Sequence, residues 1–330
     1  MTNAFPRRAT LALPALLLAT RHARAQSEWK PSHSVRLVVP TTAGGTTDVM
    51  ARLLAQYLQP IWGQPVVVDN RAGAGGVIGT LEAVRAAPDG HTFLMGNVGA
   101  QSIVYSLVPN LPYTPGDLVP VHGMISGPNA LVVHPSLPVR NVVEFVQYLR
   151  ANPDKLSYGT PGVGQTPHLV GVWFNQILGT RSTPVHYRGS GPAAADLFGG
   201  TIQYMFDALV NASEPARTGR IRLLATSGEE RYPTLPDVPT VHESMPELAA
   251  FTTASWVGLF APKNTPPAAI RSITTHTMAL LAEPGSRQRF LDLGGVPLTL
   301  PPEEYAAFVQ AETAKWTQVI QREGLKIDLA

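Results

Sequence analysis

The 330-residue chain contains no cysteine. It therefore has no disulfide, no thiolate nucleophile and no cysteine-bound zinc. It also lacks any Gly-Lys pair, which removes a P-loop, and any H-E-x-x-H run that would hold a metal. No basic run or interleaved aromatic ladder is present, so nothing points to a nucleic-acid partner. The apolar run Leu11 to Ala19 is too short to span a bilayer. No cofactor and no metal are expected. What is present in quantity is proline and glycine, 31 and 29 residues, spread among turns and not gathered in one tract. With 44% hydrophobic residues and a mean hydropathy near zero, the chain suits a globular protein of two lobes.

Residues 1–25 read as an export signal. Arg7-Arg8 precede the apolar run, and Ala23-Arg24-Ala25 fits an A-x-A cleavage site. The arginine pair matches a twin-arginine signal only in part, so both export routes stay open. The segment carries four arginines and no acidic residue, so its removal turns the formal charge of +2 into about −2.

The stretch Val38-Val39-Pro40-Thr41-Thr42-Ala43-Gly44-Gly45-Thr46-Thr47-Asp48 reads as a buried strand, a glycine turn and the start of an amphipathic helix. Gly44 and Gly45 allow a tight turn and close approach of a ligand. The free N–H groups at the helix start favour an anion. A glycine at one such joint can serve geometry alone, but the pattern recurs. A second strand, Val66 to Asn70, opens into Arg71-Ala72-Gly73-Ala74-Gly75-Gly76, where the third glycine of a dinucleotide loop is replaced by Ile78. A third, Thr92 to Met95, ends in Gly96-Asn97-Val98-Gly99. Residues 102–130 show no clear periodicity, and the strand Ala130 to Val133 is expected to carry the chain into a second lobe.

In that lobe Asn141 and Glu144 mark a capped helix at 141–151. The grammar then repeats in Tyr158-Gly159-Thr160-Pro161-Gly162-Val163-Gly164-Gln165-Thr166-Pro167-His168 and in Tyr187-Arg188-Gly189-Ser190-Gly191-Pro192. The strand from Ile202 ends at Asp207, and Ile221 to Ser227 forms another. Arg231 to Thr240 is expected to be the extended return to the first lobe. Ser255 to Ala261 reads as a strand near the hinge, and helices at 266–282, 284–293 and 302–323 close the chain. The expected class is α/β, a two-lobed arrangement with a mainly parallel sheet flanked by helices in each lobe. Glycine-rich strand ends from both halves would then line one cleft and capture a small anion by closure about a hinge.

The sequence resembles the Bug-type solute receptors of tripartite tricarboxylate transport systems over essentially the whole mature chain. The resemblance rests on Val39-Pro40 through Asp48, on Gln64 to Gly76, on Ala87-Pro88-Asp89-Gly90 and on Gly162 to His168. It continues in Tyr187-Arg188-Gly189-Ser190, Phe206-Asp207, Leu235 to Thr240 and Lys315-Trp316. It implies a periplasmic Venus-flytrap protein of type II-like fold that acts as a monomer and hands a carboxylate to membrane transporter subunits. Residues 26–126 with 228–330 would form lobe 1, and 127–227 lobe 2. The sequence departs from the family pattern at Thr41-Thr42-Ala43, Ala72, Gln165-Thr166 and Arg188.

The candidate ligand-binding set is Thr41, Thr42, Gly44, Gly45, Thr46, Asp48, Asn97, Gly99, Gly162, Gly164, Gln165, Thr166, His168, Tyr187, Arg188, Gly189 and Asp207. The threonines add hydroxyl donors suited to a carboxylate, with helix capping as the alternative for Thr46 and Thr47. Asp48 and Asp207 are expected to tie down their own loops, because a carboxylate facing an anion repels it. His168 is expected to donate to the ligand or to a loop carbonyl. Arg188 would pair with a second carboxylate, and Tyr187 would form a wall. Two other classes share these residues: a sensor subunit of the same fold, and a hydrolase built on His168, Ser190 and Asp207, for which no G-x-S-x-G elbow exists.

Overall fold

The computed structural model describes residues 29–187 and 189–327, so the expected signal segment and Arg188 lie outside the described residues. The first half opens with β1 (Val35–Val39), α1 (Thr46–Trp62), β2 (Val66–Asn70), α2 (Val77–Val84), β3 (Thr92–Asn97) and α3 (Val104–Leu107). Strand β1 is apolar and buried along nearly its whole length, as a strand covered on both faces must be. Helix α1 buries Met50, Leu54, Leu58 and Trp62, one helical face at four-residue spacing, and stops on left-handed Gly63. Strands β2, β1 and β3 pair in parallel in that order.

The next strand, β4 (Leu118–Val133), corrects the reading of 102–130 as patternless. It runs for 16 residues and belongs to both lobes. Its first part pairs antiparallel with β9 (Ala254–Pro262), and β9 pairs antiparallel with β3. Its last part, from Asn129, pairs antiparallel with β7 (Tyr204–Ala208) and β8 (Arg222–Thr226). The second lobe also holds α4 (Val142–Ala151), β5 (Ser157–Thr160), α5 (Thr166–Leu178), β6 (Thr183–His186), α6 (Ser190–Phe198) and α7 (Leu209–Arg217). There β5 pairs in parallel with β6 and β7. Each lobe is thus parallel where it carries its glycine loops, while the strands that cross between lobes run antiparallel. The sheets are mixed, not mainly parallel throughout.

The return to the first lobe also lies elsewhere than at 231–240. Thr240 bridges back to Thr226, and α8 (Val241–Ser244) follows it. Phe251 packs against Trp173, Phe174 and Phe206 of the second lobe. The chain crosses at Thr253, inside a buried knot of Asn129, Ser227 and Thr253. In this knot the Thr253 N–H donates to the Ser227 carbonyl at 2.8 Å, and the Ser227 hydroxyl donates to the Thr253 carbonyl at 2.8 Å. The Asn129 N–H donates to the Ser227 hydroxyl at 2.9 Å. Helices α9 (Pro267–Ala282) and α10 (Ser286–Asp292), the short β10 (Val296–Pro297) and α11 (Pro302–Glu323) complete the chain. Helix α11 reaches both lobes: Thr313 bonds Ser102 on one side, and the Val319 carbonyl accepts from Gln176 on the other.

Candidate functional site

Parallel strands deliver their loops at one end of the sheet, so the carboxyl ends of β1, β2 and β3 bring three glycine loops together. Gly76 follows β2 at φ +99°, and a Cβ there would sit 2.7 Å from that of Ala100, after β3. A Cβ at Gly79 would meet the Pro40 Cα, after β1, at 2.7 Å. Asn97 donates to the Thr47 hydroxyl at 3.2 Å and accepts the Ala100 N–H at 3.0 Å, which fixes the turn containing Gly99. Gly44 needs its glycine, with φ at +88°. Gly45 is the N-cap of α1 with ordinary backbone angles and, as a glycine, offers that helix start no side-chain cap. Thr46 therefore does not cap, and Thr47 accepts from Asn97 instead. Thr42, Gly44, Gly45 and Thr46 are exposed, whereas the Thr41 hydroxyl oxygen is buried with no hydrogen-bond partner.

Asp48 lies beneath this loop, 2% exposed. One carboxylate oxygen accepts the Gly44 N–H and the Arg52 Nε–H, both at 2.9 Å; the other accepts from Asn70 at 3.0 Å. The Arg52 guanidinium holds its carboxyl below the ordinary value, burial opposes this, and the bonds from Gly44 and Asn70 add to the lowering. Asn70 also donates to the Thr41 carbonyl at 3.2 Å, so this one network sets the loop's shape.

The second lobe repeats the construction. Gly162 and Gly164 turn between β5 and α5 with φ of +150° and +74°. The next residue, Gln165, is exposed and precedes α5 without a side-chain cap, and Thr166 is buried at the first position of that helix. His168 is 4% exposed, and its Nδ1 accepts the Gly164 N–H at 3.1 Å. Nδ1 is thus an acceptor, which leaves Nε2 as the ring's donor. Burial, with the nearby His186 ring second, pushes its pKa down to about 4, so the ring is neutral and acts as an acceptor. Gly189 donates its N–H to the Pro161 carbonyl at 3.0 Å and starts α6 without a side-chain cap. The Tyr187 hydroxyl donates to Asp196 at 2.6 Å. Asp207, 5% exposed, accepts on one oxygen from the Ala208 N–H at 2.8 Å, from Ser190 at 3.0 Å and from Asn211 at 3.3 Å. Burial raises its pKa against those three bonds.

The hydrolase arrangement is not assembled. A triad places histidine between serine and carboxylate, whereas Ser190 donates straight to Asp207 and His168 Nδ1 is occupied by Gly164. The two loop clusters approach each other at Gly164, where a Cβ would fall 2.4 Å from Leu107 of the first lobe. Sequence reasoning missed Asn70 and Arg52, which hold Asp48 in place. Asn70 stands at a strand end and Arg52 one helical turn after Asp48, the available signals for both. A cavity of about 700 Å³ lies elsewhere, at the hinge, lined among others by Gly127, Tyr232, Thr253, Phe308 and Lys315 and by none of the loop residues. The loop residues lie instead at the carboxyl ends of the parallel strands, with the exposed start of α1 and the partnerless Thr41 hydroxyl in the first lobe.

Two lobes joined by crossing strands define the periplasmic binding protein fold. Residues 50–325 match the family described as tripartite tricarboxylate transporter family receptor, and the chain belongs to that family. Protein BugT of Bordetella pertussis is 35% identical over 300 residues, covering 90% of this chain and 91% of BugT. Among solved structures, R. palustris Rpa4515 with adipate superposes with a TM-score of 0.80 at 34% identity, covering 90% of this chain and 99% of that one. MatC from Rhodopseudomonas palustris with bound malate gives 0.75 at 33% identity, covering 88% and 99%.

Proposed function

We propose that the chain is an exported, monomeric receptor that captures a small carboxylate between its lobes for the membrane subunits of a tripartite tricarboxylate transporter. In this reading it catalyses no reaction. The observation that carries it is a glycine loop in each lobe leading into a helix, α1 or α5, that starts without a side-chain cap, with the partnerless Thr41 hydroxyl in the first of these loops. Uncapped N–H groups and the helix dipole stabilise an anion without a full positive charge. The adipate and malate held by two relatives have the matching chemistry. We take residues 26–126 with 228–330 as lobe 1 and 127–227 as lobe 2, with the refinement that residues 240–251 pack on the second lobe. Residues 1–25 are then a cleaved signal, and Arg188 is the candidate partner for a second carboxylate.

A thermal-shift screen of mature protein against mono-, di- and tricarboxylates tests this, since a ligand at 100 times its Kd stabilises the fold by about 2.7 kcal/mol. Stabilisation by a dicarboxylate supports the reading. Stabilisation only by amines or sugars would overturn it.

A further inference from the structure

We infer that Asn70 is a positioning residue for the ligand: it holds the Thr41–Thr42 peptide with its N–H directed into the cleft. The inference rests on the carboxylate reading and names the residue that makes the loop after β1 a donor. The side-chain partners of Asn70 lie 18 to 29 positions back in the chain, so spacing does not reveal the role.

Asn70 closes β2, in register with Val39 at the end of β1. The Arg71 N–H donates to the Val39 carbonyl at 2.8 Å, which holds the two strand ends together. The Asn70 amide then meets three partners. Its oxygen accepts from Arg52 Nη2 at 3.3 Å. Its nitrogen donates to Asp48 Oδ1 at 3.0 Å and to the Thr41 carbonyl at 3.2 Å. One donor and two acceptors are satisfied only with the amide this way round. An aspartate in its place would turn an acceptor on both acceptors. Asp48, on the inner side of the loop, is 2% exposed, so the Thr41 carbonyl that shares its donor points inward. The peptide that follows is trans and planar, with its C=O and N–H directed oppositely, so the Thr42 N–H points outward. Thr42 is exposed, and nothing among the described residues accepts its N–H. The Gly44 N–H, by contrast, is taken by Asp48. A donor held in its binding direction beforehand loses less freedom when the ligand arrives.

The test compares mature wild type with Asn70→Ala in two measurements. One is calorimetric titration of malate and adipate; the other is the Thr42 amide resonance in isotope-labelled protein. Alanine removes the donor without adding charge. Folded Asn70→Ala is expected to bind about 10- to 150-fold more weakly, the loss of one charge-assisted hydrogen bond. Saturating dicarboxylate should move the Thr42 N–H downfield in the wild type and not in the variant. Should the alanine variant fail to fold, Asn70→Asp keeps the side chain's shape and its acceptor for Arg52, and is read in the same two ways. A residue that only stabilised the fold would leave affinity and the Thr42 shift as in wild type, and that result would overturn the inference alone. A wild type that responds to no carboxylate in the thermal-shift screen would overturn the carboxylate reading, and this inference with it.

Discussion

His168 accepts the backbone N–H of Gly164 at 3.1 Å, and Asp48 accepts that of Gly44 at 2.9 Å. In both lobes the acceptor is the third residue of the helix and the donor is the glycine four residues before it. The same device therefore fixes both loops, with a neutral ring in one lobe and a charged carboxylate in the other. The two respond to acid in different ranges.

For His168 the folded pKa, about 4, lies below the ordinary value of 6.5. The unfolded chain binds the proton first, so this contribution is complete above pH 6.5 and is lost as pH falls from 6.5 towards 4. The shift corresponds to about 3 kcal/mol at most. His168→Gln should flatten the stability profile between pH 4 and 6.5 in urea denaturation. A variant profile as steep as wild type would contradict the assignment of the proton to this ring.

Asp48→Ala removes the acceptor of three hydrogen bonds, and a buried charged bond contributes about 1.5–3 kcal/mol. We expect a loss of at least about 2 kcal/mol by urea denaturation. Arg52 is half exposed, so Arg52→Ala should cost only about 0–1 kcal/mol through its ion pair. Equal losses from the two substitutions would mean that the carboxylate works mainly through Arg52 and not through the loop.

Asp207 has a raised pKa, so its charged form is disfavoured in the fold at neutral pH, and that penalty fades as pH falls through the folded pKa towards 3.8. Asparagine keeps an oxygen to accept from Ser190 and Ala208. Asp207→Asn should therefore be as stable as wild type or more so at pH 7, with the advantage shrinking on acidification. A clear loss of stability at pH 7 would show that the charge itself is needed.

These loops were legible because each joins a buried apolar run to glycines and then to an amphipathic helix, a local pattern. Strand β4 was not. Pro120, Gly123, Gly127 and Pro128 read as breakers, and the structure absorbs them with register shifts at Pro120/His122 and Gly123/Ile125. The place of the return crossing was hidden for a related reason. It depends on Thr240 pairing with Thr226 and on Phe251 filling an aromatic cluster, both tertiary choices. The direction of the His168 bond depends on burial, which no spacing reveals.

Export gives a further check. Cleavage after Ala25 should leave Gln26 as the first residue of the periplasmic protein, read by N-terminal sequencing. An intact Met1 on cytoplasmic protein would contradict it.

The placement of the ligand is tested most directly by calorimetric titration of a dicarboxylate into wild type, Gly45→Val and Thr166→Ala. At Gly45 a Cβ meets only the Thr42 carbonyl, at 3.9 Å, so the fold has room for the substitution while the exposed start of α1 is blocked. Thr166→Ala removes a hydroxyl from the first residue of α5. Losing one charge-assisted hydrogen bond costs about 1.5–3 kcal/mol, roughly a 10- to 150-fold weaker affinity. Both variants should show losses of that size or larger, with circular dichroism unchanged. Wild-type affinity in both folded variants would put the ligand somewhere other than between these loops.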